Sequence, residues 1–314
     1  LIAPATANTL AKIAHGIADN IITEMAAARN IPLVVAPAMN VEMWHNPANQ
    51  RNIKQLQLDG VHILYPAHGE QACGEIGVGR MMEATQIVEL LPDILSTKLL
   101  LNKKILITVG ATYEAIDPVR GITNISSGQM GVALARACRR AGAQVFLIYG
   151  KLQTPLPLGM THTEEAVSAL AMYEAVFRLI NQVDAFISVA AVADYRVANS
   201  AAYKLKKDGS GKPPIIELTE NPDILQSVAQ LPNAPFCVGF AAESENVLNY
   251  ARAKRAKKGV PLLVANDVSL SMGKSTNQVI LLDDFAETTL PEMDKDRLAD
   301  AIVARMSHLR FQAA

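Results

Sequence analysis

Short apolar runs alternate with segments of helical period along almost the whole chain. The runs PLVVAPAM, ILITVG, QVFLIYG and PLLVAND are examples, and the amphipathic stretch VALARACRRAG lies between two of them. A continuous apolar run indicates a strand buried on both faces, and a helix between successive strands indicates that those strands pair in parallel. The pattern therefore predicts an α/β protein with mainly parallel sheets.

Two sets of these elements are separated by the segment STKLLLNKK at about 96–104. The first set predicts strands at LIAPA, PLVVAPAM and HILYP, with helices over 7–27, 41–58 and EATQIVELLPDIL. The second set predicts one doubly wound sheet of seven strands, including AFISVAAVADY and IIELT, with helices over 128–142, 165–182, 222–230, 246–258 and 293–309. A chain of 314 residues is long enough for two domains, which we place at 1–100 and 101–314.

Charge and cysteine content exclude several classes of function. The 29 basic and 30 acidic residues nearly balance, so no strongly basic field indicates a nucleic-acid partner. No apolar run is long enough for a membrane span. Cys73, Cys138 and Cys237 fit neither a disulfide framework nor a CxxC metal pair, which predicts a reducing, cytoplasmic location. The sequence opens on LIAPATANT, so we expect it to begin inside a domain.

The stretch DPVRGITNISSGQMG occupies the connection between the strand ILITVG and the next helix. Open α/β sheets bind ligands at such strand ends, and the free N–H groups at a helix start favour an anion. A dinucleotide fingerprint would place three glycines directly after the strand, whereas here Gly110 is followed by the long insert ATYEAIDPVRGITN. Ser126, Ser127 and Gly128 then either receive an anion or only cap the helix, and both readings stay open at this point.

Several longer motifs carry a resemblance to a known family. GATYEAIDPVRGITNISSGQMG, AAVADYR, KLKK, ENPDIL, GFAAESEN and VANDVS resemble, in this order, the phosphopantothenate–cysteine ligase half of the bifunctional coenzyme A biosynthesis proteins. APATANT, PAMNVEMW and ACGEIGVGRM resemble the C-terminal part of their flavin-dependent phosphopantothenoylcysteine decarboxylase half. The resemblance implies an N-terminally truncated chain, in which the C-terminal part of a flavodoxin-like domain precedes a Rossmann-like ligase domain with a doubly wound parallel sheet.

The resemblance also implies a reaction sequence. CTP activates the carboxylate of 4'-phosphopantothenate as an acyl-cytidylate with release of pyrophosphate, and the amine of L-cysteine then displaces CMP. An FMN-dependent decarboxylation converts the product to 4'-phosphopantetheine. Bringing a triphosphate to a carboxylate requires cations and Mg²⁺, whose protein ligands the sequence leaves unassigned. The family further implies a homo-oligomer built through ligase-domain dimers.

For the ligase, the resemblance assigns Arg120 and Asn124 to the acyl-cytidylate step and makes Lys204 the lysine of a mobile flap. Lys254 and Lys258 stand four residues apart, so they share one helix face. Without the family, exposed lysines would be the favoured reading, and a core position for Phe240 is as plain a reading as a nucleotide contact. The implied CTP contacts are Ser188, Val189, Ala190, Asp194, Lys204, Pro222, Asp223, Ile224, Leu225, Phe240, Lys254 and Lys258.

One position departs from the family pattern. The family usually has lysine where this chain has Gln129, so we expect a cation to be missing from the start of the helix and phosphate to be attracted less strongly there. We also expect Pro222–Leu225, within ENPDIL, to form the start of a helix that Asn221 caps.

For the decarboxylase, the resemblance implies that Asn40 holds the substrate and that Cys73 donates a proton after decarboxylation. A single cysteine is more commonly a small buried apolar residue, and this reading stays open for Cys73. Thr6 and Asn8 are placed near the phosphate or ribityl chain of FMN. The histidine and the main flavin-binding segment of the family match no residues here, so we predict that the chain as given ligates but does not decarboxylate.

Two other classes remain as alternatives. One is an NAD(P)-binding Rossmann oxidoreductase, which the long insert after Gly110 and the absence of an acidic residue at the end of QVFLIYG weigh against. The other is a flavodoxin-like binding or scaffold protein without activity.

Overall fold

The computed structural model describes residues 1–70, 74–206, 213–267, 274 and 276–311. The chain divides into two compact units, Leu1–Ser96 and Thr97–Ala314. Within the described ranges, no helix has both the length and the apolar character that a membrane crossing requires.

The first unit is a short parallel sheet with helices and one hairpin. Its sheet has the order β1 (Ile2–Ala5), β2 (Val34–Pro37), β3 (His62–Ile63), and the hairpin pairs β4 (Ala67–Glu70) with β5 (Ile76–Arg80). The helices are α1 (Ala7–Ala14), α2 (Ile21–Ala27), α3 (Val41–His45), α4 (Pro47–Leu58) and α5 (Ala84–Leu95).

Both long helices predicted for this unit are wrong as single helices, because asparagine side chains start a second helix inside each. Asn20 accepts from the N–H groups of Ile22 and Thr23 in a capping box at the start of α2. Asn46 accepts from the N–H of Ala48 at the start of α4, where Pro47 takes the first helical position.

The second unit contains the larger sheet. Its strands are β6 (Lys104–Val109), β7 (Tyr113–Ala115), β8 (Gly121–Thr123), β9 (Gln144–Tyr149), β10 (His162–Glu165), β11 (Ala185–Ser188), β12 (Tyr195–Val197), β13 (Leu218–Glu220), β14 (Phe236–Glu243), β15 (Leu262–Asp267), β16 (Thr276–Asn277), β17 (Val279–Leu282), β18 (Glu287–Thr289) and β19 (Met293–Asp294). Its helices are α6 (Gln129–Arg140), α7 (Ala169–Leu179), α8 (Ile224–Ala229), α9 (Val247–Lys258) and α10 (Lys295–Phe311).

Eight strands form the main sheet in the order β10-β9-β6-β11-β14-β15-β17-β18. The first six pair in parallel, and β17 and β18 are antiparallel additions at one side. The prediction of a mainly parallel sheet is confirmed, but the assignment of IIELT to it is wrong. Only Leu218 and Thr219 of that run lie in a strand, β13, which pairs with β12 in a separate antiparallel ribbon of exposed and half-buried residues.

Helices cover both faces of this sheet. Buried side chains of α6 and α10 pack on one face, and those of α7, α8 and α9 pack on the other. Four of the predicted helices correspond to α6, α8, α9 and α10, and both ends of each agree with the structure to within two residues. The fifth begins later than predicted, because β10 occupies His162–Glu165 and Ser168 then caps α7.

The order of the strands fixes where a ligand can enter. From β6 the chain runs outward through β9 to β10, and then returns to β11 on the other side of β6. The carboxyl ends of β6 and β11 therefore border a crevice of the kind that binds ligands in open α/β sheets. Gly110, directly after β6, has φ +85°, and a Cβ there would lie 2.6 Å from the carbonyl oxygen of Lys151. The chain can pass so closely only with glycine at this point.

Candidate functional site

A cleft of about 480 Å³ opens beside the carboxyl ends of β11 and β14 in the second unit. Ten residues that the sequence predicted as nucleotide contacts line it: Ser188, Ala190, Asp194, Pro222, Asp223, Ile224, Leu225, Phe240, Lys254 and Lys258. Seven others also line it: Val192, Ala193, Tyr195, Glu220, Asn221, Gln226 and Lys257. The loop after β11, the turn before α8 and one face of α9 thus meet at one place.

The amide of Asn221 joins two walls of this cleft. Its Nδ2 donates to the carbonyl oxygen of Ala193 at 2.9 Å, and its backbone N–H donates to the carbonyl oxygen of Asp194 at 2.8 Å. The prediction that Asn221 caps α8 is therefore wrong. Asp223 is the cap, and its carboxylate accepts from the N–H of Gln226 at 3.0 Å.

Three lysines of α9 give the cleft its positive charge. Lys254, Lys257 and Lys258 line it, and the ammonium of Lys258 forms an ion pair with the carboxylate of Asp223. Burial lowers the pKa of Lys258, and the nearby carboxylate of Asp194 offsets part of this effect. Lys257 was missed by sequence reasoning, although a spacing of three from Lys254 places it on the same face.

Val189 does not line the cleft with its neighbours Ser188 and Ala190. Its N–H donates to the carbonyl oxygen of Thr108 at 3.3 Å, and its side chain packs with the core on the α6 side of the sheet. The contacts expected of residues 188–190 are made by backbone groups, and the backbone N–H of Val189 is already bonded to Thr108.

The hairpin of β7 and β8 lies between β6 and α6 in the sequence. Arg120 directly precedes its second strand, and Asn124 directly follows that strand. The Nδ2 of Asn124 donates to the carbonyl oxygen of Ala191 at 2.9 Å, next to the cleft residue Ala190. Arg120 forms an ion pair with the buried carboxylate of Asp117. Neither Arg120 nor Asn124 is among the described residues that line the cleft.

Lys204 is exposed and is likewise not among the described residues that line the cleft. The residue after it, Leu205, donates its N–H to the carboxylate of Asp117 at 3.1 Å. The base of the lysine-containing segment is therefore attached to the hairpin. Lys207 lies outside the described residues.

The start of α6 has a cation that the sequence did not predict. The ammonium of Lys295, at the first position of α10, donates to the side-chain oxygen of Gln129 at 2.8 Å and to the carbonyl oxygen of Lys274 at 2.6 Å. Burial lowers the pKa of Lys295. The expectation that Gln129 leaves this helix start without a cation is therefore wrong, because a lysine distant in sequence occupies the region.

The predicted residues of the first unit lie at the carboxyl ends of β1 and β2. Thr6 caps α1 by accepting from the N–H of Thr9 at 3.2 Å, and Asn8 is exposed beside it. Asn40 caps α3 through its oxygen, which accepts from the N–H of Glu42 at 2.7 Å, and its nitrogen donates to the carboxylate of Glu75. Cys73 lies outside the described residues.

The part of the chain that the structure describes contains no group of three or more His, Cys, Asp and Glu side chains placed to hold a metal ion.

Two family models match the chain. The model described as DNA/pantothenate metabolism flavoprotein C-terminal domain matches residues 100–309, and the one described as flavoprotein matches residues 1–96.

Curated relatives match along nearly the whole chain. The coenzyme A biosynthesis bifunctional protein CoaBC of Vibrio parahaemolyticus is 44% identical over 313 residues, which covers 98% of this chain and 78% of that protein. The protein of the same name from Bacillus subtilis is 40% identical, with coverage of 99% and 78%.

Solved structures agree with these matches. The C-terminal domain of a CoaBC protein superposes with a TM-score of 0.58 at 35% identity, and the match covers 68% of this chain and 98% of that one. The DNA/pantothenate metabolism flavoprotein of Streptococcus pneumoniae, at 22% identity and a TM-score of 0.58, supports the fold alone. The family resemblance seen in the motifs is confirmed, and the chain belongs to the family of the bifunctional coenzyme A biosynthesis proteins CoaBC.

Proposed function

We propose that the second unit joins 4'-phosphopantothenate to L-cysteine with CTP, by way of an acyl-cytidylate, in the cleft beside β11 and β14. The chain is an enzyme of coenzyme A biosynthesis of the ligase and decarboxylase type, and its relatives do not favour an NAD(P)-dependent oxidoreductase. The observation that carries the proposal is the convergence of Lys254, Lys257 and Lys258 with Asp194 in one cleft. The strand order around β6 supports a Rossmann-like arrangement for residues 101–314.

The charges of the cleft suit a nucleoside triphosphate. The lysine ammonium groups attract its phosphates, and Mg²⁺ bound by the phosphates supplies further positive charge. The carboxylate of Asp194 can accept a hydrogen bond from the N4 amino group of cytosine, which uracil lacks. Selection of CTP would follow from that acceptor.

The two chemical steps need groups beside the cleft. The carboxylate of 4'-phosphopantothenate attacks the α-phosphorus of CTP and pyrophosphate leaves; the amine of cysteine then attacks the acyl carbon and CMP leaves. The Asn124 nitrogen has two hydrogens, and its bond to Ala191 uses one of them. The other can donate to the acyl oxygen, while Arg120 and Lys204 contribute charge nearby.

In the first unit, proposed as the C-terminal part of a flavodoxin-like decarboxylase domain, we assign FMN contacts to Thr6 and Asn8. Hydroxyl and amide groups at the paired ends of β1 and β2 suit the polyol chain of a flavin. Bound FMN supplies the redox chemistry of the decarboxylation. Asn40 would orient the substrate and Cys73 would donate a proton to the product.

We also propose a cytoplasmic homo-oligomer. The free, buried thiols of Cys138 and Cys237 support a reducing compartment. Exposed apolar side chains on and beside the β12–β13 ribbon, namely Tyr195, Ile215, Ile216 and Leu218, support association of ligase domains through this ribbon.

Pyrophosphate release tests the ligase proposal. The purified chain is incubated with Mg²⁺, CTP and L-cysteine, with and without 4'-phosphopantothenate, and with ATP replacing CTP as the control. We expect release that requires both CTP and 4'-phosphopantothenate. A folded chain that releases no pyrophosphate would contradict the proposal and favour a binding protein without activity.

We propose that the start of α6 binds the phosphate of 4'-phosphopantothenate, so replacing Lys295 with methionine should weaken binding of this substrate. The change removes the ammonium group that lies against Gln129 at the start of α6. We expect the KM for 4'-phosphopantothenate to rise about fivefold, because a charge at a helix start contributes up to about 1 kcal/mol to the binding of an anion. The KM for CTP should stay unchanged. The double variant Lys295→Met, Gln129→Lys returns a cation to this helix start and should recover most of the loss. No recovery would show that the charge at this point is not what matters.

CTP affinity should fall as pH rises into the alkaline range. Lysine binds phosphate in its protonated form, and burial lowers the pKa of Lys258 from its ordinary 10.5, so the proton is lost at a lower pH than from an exposed lysine. Calorimetric measurement of the CTP Kd between about pH 7 and pH 10 checks this. In the Lys258→Arg variant, which stays charged over this range, the fall should move to higher pH. The same pH dependence in both proteins would contradict the assignment.

A further inference from the structure

The carboxylate of Asp117 is buried at the tip of the β7–β8 hairpin, where the residue is only 2% exposed. Its Oδ1 accepts from the N–H groups of Val119 at 2.8 Å and Arg120 at 2.9 Å, which closes the hairpin turn. Its Oδ2 accepts from Arg120 Nε at 3.0 Å and from the N–H of Leu205 at 3.1 Å. One oxygen therefore serves the local turn, and the other reaches a segment 88 residues away.

The segment that precedes Lys206 docks on this hairpin at further points. The N–H of Ala201 donates to the carbonyl oxygen of Ile116 at 2.9 Å, and Nη2 of Arg120 donates to the carbonyl oxygen of Leu205 at 3.0 Å. Both backbone groups of Leu205 are thus held by the Asp117–Arg120 pair. The preceding residue, Lys204, is exposed and is connected to the hairpin through Leu205.

The chemistry of this junction requires an ionised carboxylate. The Arg120 guanidinium, together with the surrounding backbone N–H groups, holds the pKa of Asp117 well below its usual range. An asparagine at this position could keep one oxygen on the turn, but its NH₂ group would then face the N–H donors of Arg120 and Leu205. Two donors facing each other cannot form a hydrogen bond, so the turn would survive and the junction would open.

We propose that Asp117 is a positioning residue for the ligase reaction, which holds the hairpin bearing Asn124 and the segment bearing Lys204 as one unit beside the cleft. The inference rests on the ligase function proposed above. Asp117 touches no substrate in this account; it acts through Arg120 and Leu205. Arg120 takes part in the same attachment, because its guanidinium binds both Asp117 and the carbonyl oxygen of Leu205.

The same domain offers a matched control at Asp283, which is 7% exposed. Its Oδ1 accepts from the N–H groups of Phe285 at 2.9 Å and Ala286 at 3.1 Å, and its carboxylate also binds the guanidinium of Arg305. The turn and the arginine pair resemble those of Asp117, but they join β17 to α10 and make no bond to the Lys204 segment. An Asp283→Asn variant therefore reports the cost of losing a buried Asp–Arg pair alone.

The test compares Asp117→Asn and Asp283→Asn in the full chain by ligase kinetics and by hydrogen exchange of peptides covering 201–206. We expect Asp117→Asn to lower kcat at least about tenfold, to change the KM for CTP less than about threefold, and to speed amide exchange at Leu205. Asp283→Asn should leave all three near the wild-type values. The Leu205→Pro variant removes the distant N–H donor and leaves the hairpin residues unchanged, so it keeps the test valid if Asp117→Asn fails to fold. It should lower kcat in the same way and speed exchange at the Ala201 amide, since proline has no amide hydrogen of its own.

The outcomes separate the two proposals. Faster exchange at Leu205 with an unchanged kcat would overturn the positioning role, and unchanged exchange would overturn the junction itself. If the wild-type protein released no pyrophosphate with CTP, the ligase proposal would be contradicted. The exchange data would still decide whether Asp117 holds the segment that bears Lys204.

Discussion

Replacement of Asn124 by alanine is expected to lower the kcat of ligation at least a hundredfold, because loss of one donor aimed at a developing oxyanion typically costs about 10²–10³ in kcat. The Asn124 amide is held in place by its 2.9 Å bond to the carbonyl oxygen of Ala191, so its remaining N–H has a fixed direction. The KM values should change less than kcat, since the interaction strengthens as charge develops on the acyl oxygen. Steady-state formation of the cysteine conjugate at saturating substrates measures the effect.

Asn249→Ala provides the control for this experiment. Asn249 lies on α9 in the same unit, and its amide donates to the side-chain oxygen of Asn246 at 2.8 Å, away from the lining of the cleft. We expect this variant to keep its wild-type kcat. If the two alanine variants behaved alike, the proposed role of Asn124 in acyl transfer would have to be abandoned.

Replacement of Lys258 by methionine is expected to raise the KM for CTP by about 10- to 100-fold, since a hydrogen bond to a charged group is worth about 1.5–3 kcal/mol. Two effects act together. The variant loses an ammonium group from the cleft, and the Asp223 carboxylate, which pairs with Lys258, remains there as an uncompensated negative charge facing the triphosphate. Initial rates over a range of CTP concentrations measure the change.

Arg252→Met is the matched control, because it removes a cation of the same helix on another face. Arg252 binds both carboxylate oxygens of Glu287 at 2.7 Å, outside the nucleotide cleft. Its loss should leave the KM for CTP near the wild-type value. An equal rise in both variants would show that general charge, and not the cleft, attracts the nucleotide.

Five of the six parallel strands of the main sheet could be predicted from sequence because each contains a continuous apolar run, namely β9, β6, β11, β14 and β15. The sixth, β10, reads HTEE and has no such run. The β12–β13 ribbon lies outside the main sheet, and its residues are exposed or half-buried. The two helix starts missed in the first unit were readable in principle, because asparagine at 20 and at 46 is a capping residue and Pro47 follows the second.

The candidate site divides in the same way. The cleft residues Ala190 and Asp194 follow strand β11, so the topology of the sheet predicts their place. The Lys295–Gln129 contact joins residues 166 positions apart, and the Asp117–Leu205 contact joins residues 88 apart. No local sequence pattern links the members of either pair, so these contacts could not be predicted. The resemblance placed Arg120 at the chemistry, and only the structure adds that Asp117 already engages its guanidinium.

The two outer strands of the large sheet have a consequence for the behaviour of the protein at high concentration. β10 reads HTEE and β18 reads ETT, and most of their residues are exposed. Glu164 pairs with Arg178, Glu165 with Lys151 and Glu287 with Arg252, so charged groups border both rims. Charge on a rim strand opposes the addition of a strand from another molecule. Both edges of the sheet are therefore poor templates for a strand from another molecule, which disfavours edge-to-edge growth into fibrils.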